Sequence, residues 1–418
     1  MSGSGNHDND PSVRSIAEHE ILGALLHGPV PDPDWNVTQP SETDENEAIA
    51  VMSKPRVPLH FESAEHAELA NPLFLQWHDG TPQLAKDKLL KLENGLQVTY
   101  GQISALGGDF FGPKEPICLG KNFEDQITRF TAGFTTLAGK NSGGKALAEK
   151  FLKTKKEEIA VIEAASQPGS KITTDAYYNS FKAKYINEIK SVLIGFFSSQ
   201  EKGYLGLSLI NLDHFGADAR IAYNAGHTAA LRMACSARTP KALENAYAMN
   251  AFADHFLQDS FSAGHMRVPR RKLCAGVSHD LNYAKDVCAH AMHREDNQAG
   301  LHVKNPRGKS WRAYGDSALF RPENSENLAR CRDALAASVN EVYEAWDKKT
   351  IPGVSSFRAW QYAPTLESAL DPINHPPMFN KEGYPRTELL DKSCKTYKSP
   401  HGLWTYLTTA IHLLTSKH

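Results

Sequence analysis

No Cys-x-x-Cys pair occurs in this chain, which removes thiolate zinc ribbons and thioredoxin-like redox motifs from consideration. The cysteines, Cys118, Cys235, Cys274, Cys288, Cys331 and Cys394, are 6 among 418 residues. That is too sparse for a disulfide framework; they read as small core side chains, suited to a reducing compartment. There is no run of 18 apolar residues, so no segment is expected to span a bilayer, and any membrane contact would come from outside it. The N-terminus, Met-Ser-Gly-Ser-Gly-Asn-His-Asp-Asn-Asp, has neither a cationic start nor an apolar stretch. A signal peptide is therefore not expected, which leaves a cytoplasmic location or export by a route that reads no such signal. No excess of either charge stands out: the formal net charge is −2, and no basic stripe announces a duplex nucleic-acid binder. Internal repeats are absent, and no convincing block of strand alternation is visible.

What remains is a chain able to bury a sizeable core, 41% hydrophobic and 22% charged, with 18 histidines against 7 Met and 6 Trp. Its length suits one large domain or two ordinary ones. Helical periodicity runs through residues 12–27, 122–166, 173–200, 217–236, 240–264, 280–294 and 325–349. The Leu/Lys pattern of 84–92 suggests a short helix, and Thr99 opens another that ends in a glycine-rich loop near Gly112. Short strands are allowed only at Val98–Tyr100 and in the Tyr/Trp-containing tail. Prolines from Pro29 to Pro58 make 28–58 a loop. The predicted fold is all-α, a compact multi-helix domain with long loops. We expect an N-terminal helix and loop-rich region over 1–98, the helical domain over 99–350, and a Pro- and aromatic-rich extension over 351–418.

The densest chemistry lies in His-Phe-Leu-Gln-Asp-Ser-Phe-Ser-Ala-Gly-His, residues 255–265. His255 and Asp259 are four apart, so on a helix they share a face one turn apart. His265 follows just after Gly264, where that helix should end. The flanking Ala-Phe-Ala and Phe-Leu are apolar, so the pair points inward. A buried imidazole and carboxylate need a partner, and a divalent cation is an economical one. An isolated His-x-x-x-Asp is more often a hydrogen-bonded pair; the added His265 and three further segments shift that balance. His214 sits in Asp-His-Phe before a helix whose first turn holds Asp218, an acid favoured there by the helix dipole. Asp109 stands between glycines in Gly-Gly-Asp-Phe-Phe-Gly, where the backbone can approach a ligand closely. His293 and Asp296 share a face in Met-His-Arg-Glu-Asp-Asn.

Together these segments resemble the superfamily of zinc-dependent phospholipases C and fungal zinc-dependent single-strand nucleases. The shared motif is a helix with His-x-x-x-Asp followed six residues on by His, matched by His255, Asp259 and His265. His214–Phe215 and Asp109–Phe110 match the upstream elements of the phospholipase branch. The segments Gly-His-Met-Arg-Val-Pro and Ala-Tyr-Gly-Asp look closest to the larger bacterial and fungal phospholipase C proteins. The resemblance covers residues 100–316 and fades on either side. It implies a mostly helical fold holding two or three Zn2+ ions, with His214, His255, Asp259 and His265 as ligands and Asp259 as the bridging carboxylate. Asp109 would be a ligand or the general base that orients the attacking water. Secreted members use their N-terminal amine as a ligand; here Met1 precedes a Ser/Gly run, so His19 is the expected substitute, with His60 as its rival. The last site is assigned to His293 with Asp296, and His279 is kept as an outsider.

The implied activity is hydrolysis of the glycerol–phosphate bond of phospholipids such as phosphatidylcholine at a membrane surface, with Phe110 and Phe215, and Phe111 beside them, lining a headgroup pocket. Two other classes compete. A single-strand nuclease would use Arg267, Arg270, Arg271 and Lys272 on backbone phosphates, although the charge balance makes nucleic acid the weaker expectation. A non-catalytic helical binding protein would use the histidines structurally.

Overall fold

The periodicity of 217–259 becomes a helical hairpin at the centre of the molecule. The computed structural model describes residues 63–153, 211–274, 289, 291–316, 318–319 and 321–379, with two short strands at 388–390 and 396–398. In chain order the helices are α1 (Ser63–Ala70), α2 (Tyr100–Leu106), α3 (Phe123–Ala138), α4 (Gly216–Ser236), α5 (Pro240–Asp259), α6 (Ala263–Met266), α7 (Arg270–Cys274), α8 (Ser325–Lys348) and α9 (Leu366–Ala369). Residues 144–153 and 291–299 are also helical. The strands form antiparallel pairs: β1 (Phe74–Gln76) with β2 (Pro82–Leu84), β3 (Leu90–Lys91) with β4 (Gln97–Val98), β5 (Leu301–Lys304) with β6 (Ser310–Ala313), and β7 (Glu388–Leu390) with β8 (Thr396–Lys398). The fold is mostly α, as the sequence predicts, and the described sheets are short two-stranded ribbons.

Local chemistry sets the helix starts. Thr99 and Gln102 form a reciprocal capping box on α2, at 3.2 and 3.0 Å, which satisfies two otherwise orphaned donors. Thr239 caps α5 and Pro240 occupies its first turn, where its missing N–H costs nothing. From Ala246 to Asp259 every residue of α5 is buried, the mark of a helix enclosed on all sides. It packs on α4, α2 and α8. α4 can approach closely because it is alanine-rich; a Cβ on its Gly226 would lie 2.3 Å from the Phe130 ring and 2.7 Å from Ala253. One hydrophobic cluster runs from Leu69 to Ala369, so residues before 99 and after 350 share the core of the central helices.

Several boundaries differ from the sequence reading. Residues 84–92 are the end of β2, a turn and β3, not a helix. The Leu/Lys alternation there has period two: Leu90 and Leu92 are buried while Leu89 and Lys91 are exposed, which suits a strand. The helix expected over 122–166 breaks at Gly139 and Gly143 before resuming at 144. α5 stops at Asp259 rather than continuing to 264, because Ser262 is extended and turns its side chain to Asp316 and Asn297. The helix carrying His293 runs on to 299. The helices expected over 12–27 and 173–200, and residues 154–166 and 280–288, lie outside the described residues.

Under α5 lies a closed polar network. Tyr100 donates to Asp254 Oδ2 at 2.7 Å and accepts from Asn250 Nδ2 at 2.8 Å. Ser338 of α8 donates to Asp254 Oδ1 at 2.7 Å and accepts from Asn250 at 2.9 Å. Asn250 Oδ1 meets His227 Nδ1 of α4 at 2.6 Å, and His227 Nε2 meets Glu341 of α8 at 3.0 Å. The network fixes the rotation of α5 about its axis, because Asp254 and Asn250 must face α2 and α8 while His255 and Asp259 face elsewhere. Tyr100→Phe should therefore destabilise the protein by about 1–3 kcal/mol, read as a lower urea midpoint; an unchanged midpoint would show that the network does not hold the helix.

Candidate metal centre

On the other side of α5, His255 and Asp259 point into a cluster completed by six other stretches of chain. α1 brings His66. The turn after α2 brings Asp109. The 3-10 turn before α4 brings His214, and α6 brings His265. The helix at 291–299 brings His293, and the loop after β6 brings Asp316. Three groups have their ligand atoms within 4.8 Å of one another: His66 with Asp109 and His255; His214 with His255 and Asp259; and His265 with His293 and Asp316. His66, His214, His255, Asp259, His265 and His293 are all buried, and Asp109 and Asp316 keep side-chain exposures of only 8% and 10%.

Asp259 is the centre of the arrangement. Its Oδ2 lies 2.8 Å from His214 Nδ1 and 3.5 Å from His255 Nε2. Its Oδ1 faces the other way, 3.8 Å from His66 Nε2 and 3.7 Å from His265 Nδ1. The carboxylate thus addresses imidazoles on both sides. His255 Nε2 and His214 Nδ1 lie 3.2 Å apart, and two ring nitrogens so placed must share a proton or a cation.

The histidines are held from behind. His255 Nδ1 donates to the Ser104 carbonyl at 3.0 Å, which fixes the tautomer and aims Nε2 at Asp259. His265 Nδ1 donates to the His214 carbonyl at 2.9 Å. His66 Nδ1 pairs with Gln258 Oε1 on α5. Such outer contacts are how metal-binding histidines are oriented. Asp213 accepts from the backbone N–H groups of Ile117 and Cys118 at 2.7 and 2.8 Å and so pins the turn presenting His214. Gly108 makes room: at φ +70, a Cβ there would lie 2.3 Å from the His255 ring and 2.8 Å from His214. Ser262 donates to Asp316 Oδ1 at 2.6 Å, and Asp316 Oδ2 lies 2.8 Å from His293 Nε2.

Burial and mutual charge shift the titrations. Burial raises the Asp109 carboxyl to about 7, against the pull of His214. Burial also pushes Asp259 up, but the combined fields of His255, His265 and His214 outweigh it and hold the carboxyl below its ordinary value. Asp316 is likewise held well below, with His293 and His265 overcoming burial. Burial drives His255 well below its ordinary value, helped by His66. For His265, burial acts downward, yet Asp259 and Asp316 lift it to about 9.

The donor set fits a borderline divalent cation. It is all imidazole nitrogen and carboxylate oxygen, which suits zinc and its neighbours. Tetrahedral zinc ligands of this kind lie about 3.4 Å apart, so each group, with its ligand atoms within 4.8 Å of one another, would have to draw inward to hold an ion. Asp109 Oδ2 and Asp259 Oδ1, both buried, accept no hydrogen bond among the described residues, and a buried carboxylate oxygen without a partner is costly.

The structure brings together Asp109, His214, His255, Asp259, His265 and His293. It separates Asp296, which is corrected here: Arg267 grips both its oxygens, at 2.9 and 2.7 Å, and His375 lies 2.9 Å away. His293 and Asp296 lie three apart on one helix, but that carboxylate is consumed by the ion pair, and His293 takes Asp316 instead. The position one turn on from His293 holds Asn297, which accepts from Ser262 Oγ at 3.1 Å and Gly264 N at 2.5 Å. Phe215 stacks on His265 at 4.8 Å and 7°, packing beneath a histidine rather than facing a headgroup. Phe110 packs on Phe151 at 4.4 Å, and Phe111 is core. His19, His60 and His279 lie outside the described residues. His66 and Asp316 are the residues that sequence reasoning missed. Ala-Tyr-Gly-Asp was a signal for Asp316; nothing local marks His66, whose partners lie far along the chain.

No family model, curated protein or solved structure matches this chain.

The His265 shift gives a pH test. Its folded value of about 9 exceeds the unfolded value near 6.5, so its charge contributes stability fully below about pH 6.5, and this is lost as pH rises through about 9. In chelator, the difference in urea midpoint between wild type and His265→Gln should shrink from pH 6.5 to 9. A difference that grows over that range would contradict the assigned carboxylate contacts.

Proposed function

We propose that the chain is a zinc-dependent phosphodiesterase acting on phospholipids such as phosphatidylcholine at the glycerol–phosphate bond. The observation that carries this reading is Asp259, one buried carboxylate whose two oxygens face separate sets of imidazoles. The resemblance of residues 100–316 to zinc-dependent phospholipases C adds the substrate class.

In this reading His214, His255, Asp259 and His66 hold one end of the centre, and His265, His293 and Asp316 the other. Zinc bound there supplies a water made acidic near neutrality and a positive field for a phosphodiester's non-bridging oxygens. Asp109, buried 4.0 Å from His214 Nδ1, would accept the proton of the attacking water. Its Oδ2 accepts no hydrogen bond among the described residues, so an acceptor lone pair remains for that task. The nuclease alternative loses part of its support, because three of the four cations after His265 are engaged: Arg267 with Asp296 and His375, Arg270 with Asn211, and Arg271 with Asp218; Lys272 is exposed.

Hydrolysis of p-nitrophenyl phosphorylcholine by the zinc-loaded protein, restored by zinc after chelation, tests the activity. Inactivity towards this ester together with turnover of single-stranded DNA would replace the reading by the nuclease one.

Metal counting tests the assignment. Asp259→Asn should lose zinc from the His214–His255 end, and activity with it. Asp316→Asn should bind less zinc than wild type, whereas Asp296→Asn should keep the wild-type stoichiometry while unfolding more easily by about 3–5 kcal/mol, because it strands buried Arg267. Elemental analysis beside urea titration separates the outcomes; full zinc in Asp316→Asn together with a loss in Asp296→Asn would reverse the correction.

For Asp109→Asn we expect turnover to fall by about 10²- to 10⁴-fold, with the zinc content close to wild type. Equal losses of zinc and rate would make Asp109 a ligand only, and an unchanged rate would leave it a turn residue.

A further inference from the structure

Residues 301–313, Leu-His-Val-Lys-Asn-Pro-Arg-Gly-Lys-Ser-Trp-Arg-Ala, contain Lys304, Arg307, Lys309 and Arg312 and no acid, in a chain whose net charge is −2. They form the β5–β6 hairpin, whose register pairs His302 with Arg312 and Lys304 with Ser310. One face, Leu301, Val303, Trp311 and Ala313, is buried in the core, and the alternate residues are exposed. All four cations are exposed. Among the described residues none of them makes an ion pair with a carboxylate. Arg307 lies over the Tyr362 ring at 4.8 Å, and Arg312 donates to the Ala299 carbonyl at 3.0 Å.

The outer edge of β5 is covered by the segment following Thr365. Thr365 N donates to the Lys304 carbonyl at 2.9 Å, and Ser368 Oγ accepts from Lys304 N at 2.9 Å. Asn374 clamps His302 through both its backbone groups, at 2.6 and 3.0 Å. Between these clamps the turn Leu-Asp-Pro-Ile leaves Leu370 48% and Ile373 69% exposed. Ile373 N donates to Asp371 Oδ1 at 2.9 Å, which ties up part of that acid; Glu367 of α9 is a second exposed acid before the turn. Two apolar side chains are thus held in solvent by a rigid polar frame, beside four unpaired cations. Single exposed apolar residues need no explanation; a pair locked against a basic hairpin does.

We propose that the β5–β6 hairpin and the 370–373 turn form a docking patch for an anionic phospholipid surface. Cations that attract acidic headgroups, combined with apolar side chains that enter the interface, are the two elements such binding requires. A nucleic acid would use the cations but give Leu370 and Ile373 nothing to do. The patch is tied to the candidate metal centre through the chain: the hairpin lies between His293 and Asp316 in sequence, α9 packs on the α6 turn bearing His265, and His375 is fixed to Arg267 two residues beyond that histidine. The substrate side of this inference rests on the phospholipase reading; the binding itself does not.

The test is flotation of the full chain, in chelator so that no lipid is cleaved, with vesicles of phosphatidylcholine and phosphatidylserine in equal parts or of phosphatidylcholine alone. Wild type should float with the mixed vesicles, more weakly with pure phosphatidylcholine, and less as salt rises. Neutralising Lys304, Arg307 and Lys309 to Ser should weaken partition on the order of 100-fold. Leu370→Ser with Ile373→Ser should weaken it by about tenfold or more. Both variants should keep the wild-type urea midpoint and the wild-type rate on the soluble phosphorylcholine ester. Wild type that fails to float with the mixed vesicles, variants that float equally, or binding of single-stranded DNA in place of vesicles would overturn the patch. Flotation without ester hydrolysis would remove the phospholipase reading and leave the patch standing; hydrolysis without flotation would do the reverse.

Discussion

A carboxylate buried among imidazoles is the constraint on which the rest of this molecule turns. Asp259 is 1% exposed, and an isolated charge so far from water would protonate or unfold the site. The imidazoles around it, with His265 and His214 themselves raised, outweigh the cost of burial and hold its carboxyl below the ordinary value. Those imidazoles arrive from three places in the chain, so the carboxylate is satisfied only when α5, the turn before α4 and α6 are all in position. The fold therefore has to hold distant segments in a fixed register, and the central helices are built for that. α5 is enclosed on all sides, α4 meets it along small residues, and the Tyr100–Asp254–Ser338–Asn250 network prevents α5 from rotating. The polar network and the metal centre occupy different faces of the same helix, and each depends on the other's alignment.

Outer contacts carry the same logic one layer further. Ser104, Gln258 and the His214 carbonyl each take one ring nitrogen of a histidine, leaving the other for the centre. Asp213 does this for backbone, binding two N–H groups so that the next residue, His214, is presented. Asn297 and Ser262 do it for the second end of the centre, tying the break after α5 to Asp316. These are polar groups that hold direction, and most of them reach a residue far away in sequence: 151 residues separate Ser104 from His255, 192 separate Gln258 from His66, and 54 separate Ser262 from Asp316.

How much of this is legible in the sequence depends on whether the signal is local. The His255/Asp259 pair, the His265 that follows and the apolar flanks are local, and their placement on one face follows from helix period alone. The cap at Thr239–Pro240 is equally readable. His66 is not, because nothing within α1 distinguishes it from any buried histidine; its partner Gln258 is 192 residues away. Asp296 illustrates the opposite failure. Helical spacing correctly places it on a face with His293, but spacing cannot reveal that Arg267 and His375, from two other segments, have already taken it. Residues 84–92 mislead for a related reason: leucines separated by lysines fit either period over so short a stretch, and only burial of alternate residues decides for strands.

The distribution of charge argues further about the centre. Asp109, Asp259 and Asp316 converge there, while Arg267, the guanidinium nearest in sequence to His265, is neutralised by Asp296. Arg271 is neutralised in turn by Asp218 at 2.5 Å. Among the described residues Arg267 and Arg271 are both engaged, so an anionic phosphodiester would meet carboxylates, and desolvation would strengthen that repulsion. A divalent cation held by the His/Asp groups would reverse the sign, with the carboxylates as its ligands. In the proposed reading the metal would receive the anion. Lys304, Arg307, Lys309 and Arg312 stand on the exposed face of β5–β6, where they can attract a surface of headgroups. In the proposed reading, attraction at the surface and neutralisation in the interior would be divided between two sets of positive charge, joined by the short stretch of chain from β6 to Asp316.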